Sequence, residues 1–206
     1  ILSAALDAGL PRDCSFIGVG GGVVCDMTAF AASIYMRGCG LILVPTTLLA
    51  MVDASIGGKT GVDFMGYKNS VGTFYPANQI RIVVSALESL PRMEFLSGLA
   101  EVMKAALLSD PEMLEVLEND REKVLNRDSK IMHYLIKRAI EIKKDIVMRD
   151  FKESGIRAHL NLGHTLGHAL ESHLGLGGIT HGEAVAWGIV KSMDIGRQLG
   201  ITSSVY

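Results

Sequence analysis

The pattern of apolar residues changes once along this chain, near Leu90 and Pro91, and this change limits the possible folds more than any other feature. Before it, short and nearly continuous apolar runs alternate with stretches of helical periodicity. The runs at 15–20, 41–45 and 80–84 predict three buried strands, and the alanine-rich residues 26–36 predict a helix. Such an alternation is typical of a parallel sheet with helices on both faces.

After Pro91 the chain shows helical periodicity almost throughout. The predicted helices span residues 92–108, 111–125, 129–149, 163–174 and 181–199. We therefore predict an α/β nucleotide-binding domain over residues 1–91, followed by an all-α domain over residues 92–206. Because the chain opens inside a helix-like stretch and stops just after a helix, we expect an internal piece in which both domains are truncated.

Composition argues against several classes of function. The 206 residues carry a formal net charge of −2, so we expect no basic surface for nucleic acid or for an anionic membrane. No apolar run reaches the roughly 18 residues that a membrane span needs. The cysteines Cys14, Cys25 and Cys39 are odd in number and lack C-x-x-C spacing, which argues against a disulfide framework or a zinc ribbon. These features indicate a cytoplasmic protein.

Two histidines four residues apart, His164 and His168, stand near the end of the chain, and His181 follows after a glycine-rich connection. Residues at i and i+4 share one face of a helix. Neutral imidazole is the commonest metal ligand, and catalytic zinc takes three protein ligands. With Glu101 as an acidic candidate upstream, this pattern predicts a metal site, and spacing alone would make both His164 and His168 ligands. A pair of capping or core histidines is the structural alternative.

A glycine-rich stretch, GGGVVCD at 20–26, follows the first predicted strand and opens a helix. Glycines let a pyrophosphate approach the backbone closely, and a helix N-terminus offers unpaired N–H groups. The glycines lack the spacing of the dinucleotide fingerprint, so a purely structural turn is the alternative. Thr46 and Thr47 follow the next strand and would lie at the same carboxyl edge, where open α/β sheets bind ligands.

Several charged residues have spacings that favour anion recognition. Lys59 and Lys68 stand beside glycines, with Arg37 upstream and Asn69 directly after Lys68, and such groups can hold phosphate or carboxylate. Solvated loop lysines are the alternative.

Two further pairs are candidates for a shared helix face. Glu101 and Lys104 are three residues apart, for which a surface ion pair is the default explanation. Arg157 and Asn161 are four apart, and a guanidinium there could grip a substrate carboxylate. Helix capping is the alternative role for Asn161.

Taken together, these stretches resemble the 3-dehydroquinate synthase family of sugar-phosphate cyclases. The matching segments, in the family's order, are GGGVVCDMTAFAAS, PTTLLAMVDASIGGKTGV, KNSVGTFY, SGLAEVMKAALL, ESGIRAHLNLGHTLGHALE and HGEAVAWG. The resemblance implies an NAD-binding α/β domain and a helical domain with a divalent metal, zinc in the first place and cobalt as the alternative. The metal would be held by Glu101, His164 and His181. His168 would then contact the substrate or transfer a proton, which corrects the interpretation from spacing alone.

The resemblance also assigns roles to the other site residues. NAD would lie against Gly22, Val23, Val24, Cys25, Asp26, Thr46, Thr47, Lys59, Lys68 and Ser89. Catalysis would involve Lys59, Asn69, Lys104, Arg157 and His168, and the substrate would contact Arg37, Asp53, Lys143 and Asn161. Cys25 replaces a usual glycine, and a positive φ at this position would make its side chain cost roughly 1 kcal/mol or more.

The implied activity is the conversion of 3-deoxy-D-arabino-heptulosonate 7-phosphate to 3-dehydroquinate and phosphate, in the shikimate pathway of aromatic amino acid biosynthesis. It would proceed by NAD-mediated transient oxidation, elimination, reduction and aldol cyclisation, a lyase reaction overall. The resemblance further implies a homodimer. The alternatives are a sister cyclase that acts on another sugar phosphate, a metal-dependent polyol dehydrogenase, and a piece without catalysis that only binds or dimerises. The pair of Arg157 and Asn161 favours an acidic substrate.

Overall fold

The structure, a computed structural model, describes residues 1–65, 67–175 and 177–203, without the side chain of Lys68. The chain divides into two compact units, Ile1–Leu90 and Pro91–Tyr206. The predicted fold class, an α/β part followed by an all-α part, is confirmed. That residues 1–91 bind NAD and that residues 92–206 bind the metal and the substrate stay predictions.

The first unit contains a parallel sheet and a separate hairpin. Its helices and strands are α1 (Leu2–Asp7), β1 (Ser15–Gly20), α2 (Gly22–Ile34), β2 (Gly40–Pro45), β3 (Lys59–Phe64), β4 (Tyr67–Phe74) and β5 (Gln79–Ile80). The sheet has the order β1-β2-β5, with Ser15 opposite Gly40 and Leu43 opposite Ile80. Helix α2 buries Ala29 and Ala32 in the same core as Leu41, and their small side chains allow the helix to approach the sheet closely.

Two elements predicted for this unit have bounds that differ from the prediction. The helix expected at 26–36 begins at Gly22, ends at Ile34 and continues as a 3-10 helix, Tyr35–Arg37. The strand expected at 80–84 is only Gln79–Ile80, because the chain turns away after the Arg81 N–H donates to the Leu43 carbonyl at 2.8 Å.

The outer face of β1 also differs from expectation. Ile17 and Val19 are 60% and 61% exposed, so the sheet is not covered on both faces along this strand.

The antiparallel hairpin β3–β4 was not predicted from the sequence. Lys59 lies opposite Phe74 and Val62 opposite Val71, with an irregularity between Val62 and Phe64. The Thr60 hydroxyl donates to the Thr73 carbonyl at 3.0 Å across the hairpin. Lys59 therefore begins a strand rather than lying in a loop.

Among its described residues, the second unit contains helices joined by loops, and no strands. The helices are α3 (Arg92–Ser109), α4 (Pro111–Asn119), α5 (Arg121–Leu125), α6 (Ser129–Arg149), α7 (His164–Leu174) and α8 (His181–Gln198), with a 3-10 helix at Ile156–Asn161. The prediction of a single helix at 111–125 is wrong, because the helix is interrupted at Asp120, between α4 and α5. The other helix predictions are confirmed to within one residue at each end. None of the helices in the described part of the chain combines the length and the apolar character that crossing a membrane requires.

Local chemistry explains where these helices begin. The Asp110 carboxylate accepts a hydrogen bond from the Met113 N–H at 3.1 Å, and Pro111 occupies the first helical position of α4. Asp128 caps α6 in the same way through the N–H of Lys130. Thr180 and Glu183 form a reciprocal capping box at the start of α8, which fixes the helix that begins with His181.

Candidate functional site

Helix α3 buries a carboxylate and an ammonium group inside the helical unit. Glu101 is 2% exposed and Lys104 is 3% exposed, and Lys104 Nζ forms an ion pair with Glu101 Oε2. The default explanation of a surface ion pair is therefore wrong. A single buried charge would cost several kcal/mol, so the lysine compensates a carboxylate that the fold has removed from water.

Two histidines from neighbouring helices approach this carboxylate. His164 is the first residue of α7 and His181 is the first residue of α8. Glu101 Oε1 lies 3.7 Å from His164 Nε2 and 3.5 Å from His181 Nε2. The two imidazole ring centres are 5.2 Å apart. The three residues predicted as metal ligands are thus brought together by three helices.

Close backbone contacts hold the three helices in this arrangement. The Gly182 N–H donates to Ser97 Oγ at 2.9 Å, and Ser97 lies one turn before Glu101 on α3. A Cβ atom at Gly182 would overlap the Ser97 backbone. Gly163, the N-cap of α7, has φ +79°, and a Cβ there would lie 2.6 Å from the Val185 carbonyl oxygen. The glycines beside His164 and His181 are therefore needed for the ligands to converge.

The donor set fits a divalent ion such as zinc. Two ligand atoms that are each about 2.0–2.1 Å from a tetrahedral zinc ion lie about 3.3–3.4 Å apart, close to the separations measured from Glu101. Candidate ligand atoms of Glu101, His164 and His181 all lie within 4.8 Å of one another. Two imidazoles and one carboxylate leave a fourth position open, as in catalytic zinc sites.

The environment of His164 favours the neutral form that a metal needs. Burial lowers the pKa of His164 below its ordinary value of 6.5, and the Lys104 charge lowers it further. Its Nδ1 lies 3.3 Å from the Leu162 carbonyl oxygen, which favours a proton on that nitrogen and leaves Nε2 directed at Glu101.

His168 does not join Glu101 in this group. Its side chain is 60% exposed, and its ring centre lies 5.3 Å from that of His164. It belongs instead to a second group of possible ligands, His168, Glu171 and His181. Spacing alone predicted His164 and His168 as ligands of one ion, and this arrangement does not support that hypothesis. Proton transfer by His168 stays a prediction.

The glycine-rich turn lies at the carboxyl edge of the parallel sheet. Gly21 is the N-cap of α2 and provides no side-chain cap. The Thr46 N–H donates to the Gly20 carbonyl at 2.8 Å, and Thr47 Oγ1 accepts from the Ala50 N–H at 3.1 Å. A Cβ at Gly21 would lie 3.1 Å from Thr47 Cγ2. The predicted juxtaposition of the glycines with the two threonines is present, beside a helix N-terminus suited to an anion.

The side chains predicted to contact the cofactor in the first turns of α2 differ in exposure. Val23 and Val24 are exposed, whereas Cys25 is buried in the core. Burial, followed by the Asp26 charge, raises the pKa of the Cys25 thiol to about 11. Cys25 lies inside the helix and is not among the described residues with positive φ, so the strain considered for this position does not arise.

Family models match this chain over residues 1–205. The N-terminal model of 3-dehydroquinate synthase matches residues 1–97, and the C-terminal model matches residues 98–205. The chain belongs to the 3-dehydroquinate synthase family. The 3-dehydroquinate synthase of Thermodesulfovibrio yellowstonii is 48% identical over 97% of this chain, and the chloroplastic enzyme of Solanum lycopersicum is 46% identical over 97%. These matches cover 56% and 45% of the two relatives, so the chain spans about half of their length.

Solved structures of related cyclases are also similar. A 2-epi-5-epi-valiolone synthase from Streptomyces hygroscopicus subsp. jinggangensis, with NAD+ and Zn2+ bound, matches with 31% identity and a TM-score of 0.92 over 99% of this chain and 57% of its own. A 2-deoxy-scyllo-inosose synthase complexed with carbaglucose-6-phosphate, NAD+ and Co2+ matches with 31% identity and a TM-score of 0.90. The match covers 96% of this chain and 55% of that structure's chain. A glycerol dehydrogenase from Schizosaccharomyces pombe shares the fold, with 17% identity and a TM-score of 0.68. This match covers 93% of this chain and 54% of the dehydrogenase chain.

The other site residues expected from the family lie at several places in the first unit. Lys59 is exposed at the start of β3, and Asn69 lies in β4 with φ +51°. The Asn69 N–H donates to Asp63 Oδ1 at 2.9 Å, which ties the two strands together. The Lys68 side chain lies outside the described part of the structure. These roles in binding NAD and substrate stay predictions.

Three more of these residues have distinct surroundings. Arg37 is exposed and has φ +68°, a backbone conformation that is rare outside glycine. Asp53 is half-buried in a π-helical turn, Ala50–Ala54, a feature often found at functional sites. Ser89 is exposed at the end of a 3-10 helix, Val84–Ser89. In the second unit, Lys143 is half-buried on α6.

Arg157 and Asn161 were expected to share a helix face, but they do not. They lie in a 3-10 helix with three residues per turn, so residues four apart diverge. Arg157 is 2% exposed, and its Nη1 donates to the Phe151 carbonyl at 2.5 Å. Asn161 is exposed and its amide donates to Glu153 Oε1 at 2.8 Å. The capping alternative for Asn161 is wrong, because the N-cap of α7 is Gly163. Binding of a substrate carboxylate by this pair stays a prediction.

Asp150 organises the turn that leads to Arg157. Its carboxylate accepts hydrogen bonds from the backbone N–H groups of Ser154, Gly155 and Arg157 at 2.8, 2.7 and 3.0 Å. Hydrogen bonds from Ser154 and then from Arg157 are the largest causes that lower the pKa of Asp150 from 3.8 to about 2. The carboxylate is thus favoured in its ionised form by the folded turn.

We expect the variant Asp150→Asn to change the acid dependence of stability. A lowered folded-state pKa adds stability above pH 3.8, and this contribution is lost as the pH falls toward about 2. The free energy of unfolding of the wild type should therefore fall more steeply between pH 5 and pH 3 than that of the variant. Urea titrations at pH 5 and at pH 3 measure the free energy of unfolding of both proteins. An equal decrease in the wild type and in the variant would contradict the role of this carboxylate.

Two residues important for the site were missed in the sequence. Ser97 holds α8 through Gly182, and Glu171 lies 3.6 Å from His181 Nδ1. A signal for Glu171 was present, because His168 and Glu171 are three residues apart on the helix and share a face. No signal pointed to Ser97, since its contact joins residues that are 85 positions apart.

Proposed function

We propose that the protein is an NAD- and metal-dependent 3-dehydroquinate synthase. It would convert 3-deoxy-D-arabino-heptulosonate 7-phosphate to 3-dehydroquinate and phosphate, in the pathway to aromatic amino acids. The observation that carries the proposal is the buried Glu101 carboxylate, with His164 and His181 within 3.7 Å of it, in a chain that is 48% identical to a synthase of this name.

The metal is proposed to be zinc, with cobalt as the alternative, held by Glu101, His164 and His181. The donor set and its separations support this assignment, and related cyclases have been solved with Zn2+ or Co2+. Both of those structures also hold NAD+, which supports NAD as the second cofactor. When bound, NAD supplies reversible oxidation of the substrate, and the metal supplies polarisation of substrate oxygens.

The residues of the helical unit have separable tasks in this scheme. Glu101 and the two imidazoles would hold the ion, and three protein ligands would leave one coordination position open. Lys104 balances the carboxylate charge in the buried site. The exposed His168 is the candidate for exchanging a proton with the substrate, because an imidazole can donate and accept near neutral pH.

The residues of the first unit are proposed to bind the nucleotide and the anionic substrate. The N-terminus of α2, with Thr46 and Thr47 beside it, would take the NAD pyrophosphate. Arg37, Lys59 and Asn69 would face the substrate. Arg37 has positive φ, and strained backbone of this kind is concentrated at functional sites, which supports its assignment.

The alternatives are less well supported. The 31% identity to the two other cyclases is lower than the 44–48% identity to bacterial 3-dehydroquinate synthases. The dehydrogenase similarity is in the fold alone. A cytoplasmic location and a homodimer are part of the proposal. A plant relative, that of Solanum lycopersicum, is named chloroplastic.

The proposal is tested by incubating the protein with the heptulosonate phosphate, NAD and zinc. We expect phosphate release without a lasting rise in NADH absorbance, because the hydride is returned within one turnover. A stoichiometric rise in NADH would indicate a dehydrogenase. Phosphate release from a sugar phosphate that has no carboxylate, but not from the heptulosonate phosphate, would indicate a sister cyclase.

A further inference from the structure

Glu171 stands on the opposite side of His181 from the proposed metal. The His181 ring lies between two carboxylates, with Nε2 3.5 Å from Glu101 Oε1 and Nδ1 3.6 Å from Glu171 Oε1. A neutral imidazole carries one proton, on one of these two nitrogens. The proton must leave Nε2 if that nitrogen is to bind an ion, and a carboxylate at Nδ1 favours its placement there.

The other histidine ligand has a comparable neighbour at the same ring position. His164 Nδ1 faces the Leu162 carbonyl oxygen at 3.3 Å, so each proposed ligand has an oxygen acceptor behind it. Metal-binding histidines almost always donate their second N–H to a carbonyl or carboxylate, and this contact fixes the ring orientation. The neighbour of His164 belongs to the backbone. The neighbour of His181 is a side chain and can be removed by substitution.

Glu171 is held in place by its surroundings. Its side chain is 12% exposed, and it lies on α7. Helix α7 packs against α8 so closely that a Cβ at Gly167 would lie 2.9 Å from the Ala184 carbonyl oxygen. Because His181 begins α8, a small rotation of the Glu171 side chain would bring the 3.6 Å separation into hydrogen-bond range with both helices in place.

We propose that Glu171 is a positioning residue that accepts the His181 Nδ1–H and thereby directs Nε2 to the metal. This inference rests on the proposed metal site. It predicts a graded response in metal affinity. Glu171→Ala removes the acceptor and should weaken Zn2+ binding about 10- to 100-fold. Glu171→Gln retains an amide oxygen that can accept the Nδ1–H and should weaken binding less.

The test measures Zn2+ dissociation constants by chelator competition, together with the visible spectrum of the Co2+-loaded protein. Glu118→Gln, an exposed glutamate on α4, is the matched control and should bind as the wild type does. The Co2+ spectrum of Glu171→Ala should change in band position, because the imidazole is no longer fixed. Circular dichroism reports folding, and if Glu171→Ala does not fold, Glu171→Gln provides the decisive comparison.

The outcomes separate this inference from the metal site on which it rests. Wild-type affinity and an unchanged Co2+ spectrum in both Glu171 variants, with metal binding lost in His181→Ala, would overturn the positioning role alone. Unchanged binding in His181→Ala would overturn the metal site itself. A second ion on His168, Glu171 and His181 is the rival arrangement. Loss of one of two bound ions in Glu171→Ala, with the other bound as before, would show that arrangement and overturn the proposal.

Discussion

Replacing His181 with alanine is expected to abolish most zinc binding and, with it, the proposed cyclase activity. The variant removes one of three proposed protein ligands at a site where the other two, Glu101 and His164, remain. Zinc sites with four protein ligands contribute about 10–16 kcal/mol, or about 3 kcal/mol per ligand, so affinity should fall roughly 100-fold or more. Zinc content after gel filtration should decrease from about one equivalent per chain to a small fraction.

His173→Ala is the matched control for this prediction. His173 lies on the same helix as His164, is exposed and belongs to neither group of possible ligands among the described residues. It should retain zinc and activity. Unchanged zinc occupancy in His181→Ala would show that the ligand assignment is wrong.

Replacing Lys104 with methionine is expected to destabilise the metal-free protein and to strengthen metal binding. Lys104 is the cation paired with the buried Glu101 carboxylate, and methionine keeps much of its volume without the charge. Removing one partner of a buried ion pair costs about 3–5 kcal/mol, because the other charge is left uncompensated. A divalent ion can supply the missing positive charge, so saturating zinc should raise the stability of the variant more than that of the wild type.

Lys123→Met is a matched control for Lys104→Met. Lys123 pairs with Asp120 at 2.7 Å with the same spacing of three residues, but the lysine side chain is 65% exposed. An exposed pair contributes about 0–1 kcal/mol, so this variant should unfold almost as the wild type does, with or without zinc. Urea unfolding with chelator and with excess zinc measures both effects. Equal losses in the two variants would contradict a special role for the buried pair.

The helical half of the fold could be predicted from the sequence because its signals are local. The bounds of α6 match the prediction at both ends, since Asp128 supplies an N-cap and the apolar period continues for the full length. The start of α8 is encoded in the same way by Thr180 and Glu183. The break at Asp120 escaped prediction because apolar periodicity continues across it.

The hairpin β3–β4 could not be predicted in this way. Its strands contain Lys59, Asp63, Asn69 and two glycines, so no apolar run marks them. Their stability comes from pairing with each other, including the hydrogen bond from Thr60 to Thr73, and such pairing is not visible in a local window. The glycine-rich stretch was expected to open a helix, but α2 begins at Gly22 and not at the predicted residue 26, because glycines at 20–22 usually indicate a turn.

The metal site is intermediate between these cases. The histidine spacing indicates a metal, but spacing selects His164 and His168, whereas the structure groups His164 with His181 and Glu101. That grouping depends on how α3, α7 and α8 pack, through contacts such as that of Gly182 with Ser97. The burial of Lys104 also depends on tertiary packing, so it could not be predicted from its spacing of three residues from Glu101.

Anomalous scattering from crystals of the protein grown with zinc tests the central claim most directly. We expect one strong peak at the zinc edge, about 2.0–2.2 Å from a carboxylate oxygen of Glu101 and from Nε2 of both His164 and His181. A crystal whose zinc peak lies on other residues, with these three side chains directed away from one another, would contradict the metal site and the cyclase function built on it.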